Sequence, residues 1–143
     1  MGGKASGVLL AEKIIKEQMK KDDVLKDIAF TKSWYISSDT ILTFIHYNDL
    51  DEVSHVKYLD PIEIRQEQPL LEQIFKNSSF PFEIVEGLRR IIRDFKDKPI
   101  IVRSSSLLED NFGFSFSGKY KSLFVPNIGT EEERLNALVD AIA

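Results

Sequence analysis

The chain has 143 residues, 43% hydrophobic and 29% charged, which is the balance of a folded domain and excludes a disordered chain, a collagen and a mucin-like stalk. It contains no cysteine, so thiolate zinc sites, iron–sulfur clusters, disulfides and a cysteine nucleophile are excluded together. A net charge of -4 argues against a broad polyanion-binding surface, because such affinity rests on clustered Lys and Arg, and no nucleic-acid partner is expected.

No uncharged apolar run approaches the roughly 18 residues that a membrane span needs. Met1 to Gly7 lacks the apolar core and cleavage site of a signal peptide, so no membrane partner and a cytoplasmic location are expected. After this glycine-rich start, Leu10, Ala11, Ile14, Ile15 and Met19 fall at helical spacing among Lys and Glu, predicting an amphipathic helix that ends near Lys20-Lys21-Asp22-Asp23. The β-branched and aromatic stretch from Ile28 to Ile36 reads as a strand. Ser37-Ser38-Asp39 offers N-cap oxygens to a helix carrying Ile41, Leu42, Phe44 and Ile45, which Asn48-Asp49 ends.

Residues 49–65 show no clear period and read as loop, followed by a short helix over Pro69 to Lys76. The clearest element comes next: behind Pro81, the residues Ile84, Val85, Leu88, Ile91, Ile92 and Phe95 repeat at the three- and four-residue spacing of a buried helical face. Pro99-Ile100-Ile101-Val102 then reads as a short buried strand that delivers Arg103 and Ser104-Ser105-Ser106 at its carboxyl end, where α/β sheets place ligand groups. Phe114 to Ser117 and Tyr120 to Val125 predict a strand pair or one bent strand, and Pro126 to Gly129 a turn. Thr130 with Glu133 forms a capping-box pattern ahead of a final helix with Leu135, Leu138, Val139 and Ile142 on its apolar face.

Two constellations have chemistry to offer. Gly2-Gly3-Lys4, with Gly7 ahead of the first helix, combines close backbone approach, a helix N-terminus and a full positive charge, the ingredients of an anion site; read alone, the same residues also describe a flexible tail. Arg103 at a strand end can grip phosphate through paired N–H bonds, with Ser104 and Ser105 adding hydroxyl donors. The alternative is that Arg103 pairs with Glu109 or Asp110 while the serines shape a turn. His46 and His55 have no metal-ligand spacing, so no metal site is assigned, and His46 reads as a partly buried packing residue. Trp34 and the ten Phe read as core and strand filling, and Glu131-Glu132-Glu133 as a favoured helix N-terminus.

The segment Ile101-Val102-Arg103-Ser104-Ser105-Ser106-Leu107-Leu108-Glu109-Asp110, followed by Phe116-Ser117-Gly118 and Ser122-Leu123-Phe124-Val125, resembles the nucleotide-binding domain of phosphoenolpyruvate synthases and pyruvate phosphate dikinases. Gly2-Gly3-Lys4-Ala5 and the helix after it match that family's opening segment. Ser117 and Ser122 stand where many members have Ala and Thr, changes that keep size or hydroxyl chemistry.

The resemblance implies an α/β (α+β) fold, a small mixed sheet with packed helices forming the first lobe of an ATP-grasp-like nucleotide-binding domain. It implies ATP with Mg2+ as ligands, the metal-binding carboxylates lying outside these residues, and transfer of a phosphoryl group to a histidine on a separate domain and then to pyruvate. By motif, Lys4 and Arg103 hold the triphosphate and Gly2, Gly3, Ser104 and Ser105 line it, with Arg103 the residue closest to catalysis. Residues 1–143 are then expected to be a single partial domain cut from a longer parent whose phosphohistidine and pyruvate or phosphoenolpyruvate domains are its partners. The isolated piece is expected to be inactive. Two rivals share the fold: a non-catalytic nucleotide-sensing or interaction module, and a dikinase with another acceptor such as a glucan or a drug.

Overall fold

The strongest periodicity in the sequence becomes the best-buried helix. In the computed structural model, which describes residues 3–105 and 122–143, the elements run α1 (Gly3–Gln18), α2 (Asp39–Tyr47), α3 (Pro61–Asn77), α4 (Phe82–Phe95), β1 (Ile100–Arg103), β2 (Ser122–Val125) and α5 (Glu131–Ile142), with 3-10 turns at Asp23–Asp27 and Asp51–Tyr58. Helices and a two-stranded β1–β2 sheet make this a mixed α/β fold of the expected class. The described residues fall into two compact units, one drawn from Met1–Ile36 and Arg103–Ser122, the other from Ser37–Val102 and Leu123–Ala143.

In the second unit, Leu88, Ile91 and Ile92 of α4 meet Leu135 and Leu138 of α5 across Ile100 and Val125 of the sheet. Each fully buried side chain of this size contributes about 1.5–3 kcal/mol by leaving water. Charge reinforces the same seam: Arg93 binds Glu131 through two N–H donors at 2.9 and 2.7 Å, and Arg89 reaches Glu131 at 3.0 Å. These bonds, Arg93 foremost and then Arg89, hold the Glu131 carboxyl down at about 2. The turn before α5 is built from the backbone: Asn127 (φ 58) buries its amide and donates to the carbonyls of Lys96 and Lys98, Gly129 takes φ 105, and Thr130 and Glu133 close the capping box.

Elsewhere in this unit Phe44 of α2 is buried against Phe75 and Phe80, with ring centroids 5.5 and 4.5 Å away. The Asn48 side chain ends α2, donating to the Phe44 carbonyl and exchanging two hydrogen bonds with the Ser79 backbone. Ser38 is the α2 N-cap residue by position only, since its side chain makes no capping bond. The expected loop and short helix of 49–76 are instead a 3-10 turn and a 17-residue α3, started by an Asp60/Glu63 capping box with Pro61 in the first turn and continuing through Pro69. Pro69 removes one backbone donor and crowds the carbonyl of Arg65, and the helix runs on through it to Asn77.

The first unit is built differently. α1 forms over the expected residues but starts at Gly3, so Lys4 and Gly7 belong to the helix rather than to a loop ahead of it. Its apolar face is largely uncovered, with Val8, Leu10 and Ile14 at least half exposed and Ala5 buried. Lys16 pairs with Glu12 and lies 5.3 Å above the Phe30 ring. Residues 28–37 carry no strand, because β-branched composition makes a strand only where a partner supplies the ladder, and none does so among the described residues.

Candidate functional site

Alternation along β1 decides where Arg103 goes. Successive strand residues face opposite ways, so Ile100 enters the core, Val102 is half-buried, and Ile101 and Arg103 are exposed on the other face. Arg103 is thus exposed at the strand end, followed by exposed Ser104 and half-buried Ser105. Glu109 and Asp110, its alternative partners, lie outside the described residues, as do Gly2 and the predicted Phe114 to Ser117 strand.

Within the first unit the two sequence constellations meet. The backbone N–H of Ala5 donates to Ser105 Oγ at 3.1 Å, a part-buried contact between residues 100 positions apart. Ala5 is the third residue of α1, and its N–H is one of the first-turn donors that no helical carbonyl can reach. Gly3 and Lys4 are its immediate neighbours in that turn, and Arg103 stands two residues before Ser105. The first turn of α1 holds no acidic residue, so no side chain within it offsets the partial positive charge of its amides. The arrangement is therefore a helix N-terminus tied to a strand exit that bears an exposed arginine, a combination suited to holding a multiply charged anion. Ala5 is the participant that sequence reasoning missed: its side chain carries no chemistry, and its amide matters only through a contact made across the chain.

Other polar groups serve elsewhere. His46 is exposed rather than packed, with Nδ1 3.2 Å from an Asp51 carboxylate oxygen, and Trp34 is half exposed rather than core. The Glu131 run does favour the start of α5, and in addition it anchors α5 to the arginines of α4. Among the described residues no group of three or more His, Asp or Glu is placed to hold a metal ion. No helix among them is long and apolar enough to cross a membrane.

Neither a curated protein nor a solved structure matches the sequence. A family model does, that of the pyruvate phosphate dikinase AMP/ATP-binding domain, and it spans residues 1–143. Together with the mixed α/β fold and the strand exit tied to the first helix, this match makes the chain a member of the pyruvate phosphate dikinase AMP/ATP-binding domain family.

Proposed function

We propose that this chain holds the phosphates of ATP for a phosphoenolpyruvate synthase-like phosphotransferase, as the first lobe of an ATP-grasp clamp. The observation that carries the reading is the Ala5 to Ser105 hydrogen bond, which joins the Gly-Gly-Lys segment to the Arg-Ser-Ser segment in one unit. Arg103 presents a planar fork of donors that fits two phosphate oxygens at once, and the Lys4 ammonium adds a second full positive charge. Gly2 and Gly3 let amide groups approach closely, and Ser104 adds a hydroxyl donor beside the guanidinium.

Bound ATP supplies the phosphoryl group; the residues of this chain orient it and offset its charge, which is where most catalysis of phosphoryl transfer lies. In this reading the acceptor is a histidine on a separate domain, pyruvate receives the phosphate afterwards, and both belong to the cytoplasmic parent enzyme. Among the described residues no group of carboxylates is placed to hold Mg2+.

Calorimetric titration with MgATP tests the proposal on the chain itself, beside Arg103→Ala and Lys4→Ala. Saturable binding weakened about tenfold or more in each variant is expected, since a charge-assisted phosphate contact contributes roughly 1.5–3 kcal/mol. A wild-type chain that takes no MgATP, or variants that bind as it does, would contradict it.

A further inference from the structure

We infer that Ser105 is a positioning residue for the phosphate site, acting through its bond to the Ala5 amide rather than as a phosphate ligand; this assignment rests on the nucleotide reading above. Helices of soluble proteins usually satisfy their first-turn amides with a Ser, Thr, Asp or Asn just ahead of them. α1 begins at Gly3, and Gly2 just ahead of it has no side chain to serve as an acceptor. The acceptor comes instead from Ser105, at the exit of β1. The hydroxyl oxygen accepts from Ala5 N–H.

The geometry gives this bond a task beyond capping. Lys4 adjoins the donor residue and Arg103 stands two residues from the acceptor, so one hydrogen bond fixes the spacing between the backbone positions that carry both cations. The bond is part-buried, with Ala5 buried and Ser105 half-buried, which shields it from competing water while Arg103 and Ser104 stay exposed. Without the hydroxyl, the first turn of α1 loses its tie to the strand exit, and the backbone positions of Lys4 and Arg103 lose their fixed spacing. The ligand class that suits two joined segments, each carrying a cation, is a polyphosphate, which bears several negative charges.

The test compares wild type, Ser105→Ala and Ser105→Thr in two readouts: exchange of the Ala5 amide hydrogen by NMR, and calorimetric affinity for MgATP. Ser105→Ala is expected to speed Ala5 exchange and to weaken MgATP about five- to tenfold, the size of a lost N-cap bond, while Ser105→Thr, which keeps the hydroxyl, restores both. Unchanged Ala5 exchange in Ser105→Ala would overturn the tie. Faster exchange with unchanged affinity would overturn the positioning role and leave a cap alone. A wild-type chain that binds no MgATP would overturn the nucleotide reading itself and this role with it, an outcome distinct from a binding wild type indifferent to Ser105→Ala.

Discussion

The α4–α5 region and the α1 region meet the problem of burial in opposite ways. Around α4 and α5, apolar faces from two helices and two strands close on one another, and Ile92 is fully buried. Along α1 the helix is as regular and mixes Lys13 and Lys16 with Glu12 and Glu17, yet Ala5 is buried while Leu10 is 60% exposed. The difference teaches how each region is held: Ile100 of β1 is buried in the core of the second unit, while Arg103 at the other end of the strand is exposed. The first turn of α1 meets Ser105 through a hydrogen bond.

The sharpest way to break this contrast is a matched pair of truncations. Ile92→Ala is expected to destabilise the chain by about 2–5 kcal/mol, the cost of a cavity in a closed core. Leu10→Ala should change stability by less than about 0.5 kcal/mol, as exposed substitutions do. Equal shifts of the urea midpoint in the two variants would remove the distinction.

Two glycines sharpen it next, because both belong to the firm region and should respond with opposite signs. Gly129 has φ 105, and a Cβ there would come within 2.6 Å of the Glu133 carboxylate that closes the capping box, so Gly129→Ala should cost about 1–3 kcal/mol. At Gly87, inside α4, a Cβ meets nothing within 4 Å, and Gly87→Ala should stabilise by about 0.5–1 kcal/mol through helix propensity. Thermal melts of the pair check both signs.

The smallest effect is electrostatic. The Glu131 carboxyl titrates at about 2 in the folded chain, below its ordinary 4.5, so its contribution is fully present above pH 4.5 and is lost as the pH falls toward 2. Glu131→Gln should flatten that acid limb, and urea midpoints measured from pH 5 to 2 will show it. An acid limb equally steep in the variant would remove Glu131 from the account.

How much of this was legible in the sequence follows from how local each signal is. The α4 face, the Thr130–Glu133 box and the delivery of Arg103 at the end of β1 depend on a few neighbouring residues, and they stand where the pattern puts them. The start of α3 was also written locally, in Asp60-Pro61-Ile62-Glu63, but the charged and aromatic residues around it masked the cap and left a loop reading. Two features were not readable at all. Whether Ile28 to Ile36 forms a strand depends on a neighbour that composition does not name, and the Ala5–Ser105 bond joins residues 100 apart, beyond any periodicity. The site was therefore visible as two separate segments, while their meeting point was not.

The most direct test of the central claim is residue-resolved amide hydrogen exchange on this chain with and without MgATP. The account predicts added protection in residues 3–7 and 103–105, with α4 and α5 already strongly protected and little changed by the ligand. Protection that appears only in α2 and α3, or nowhere, would contradict it.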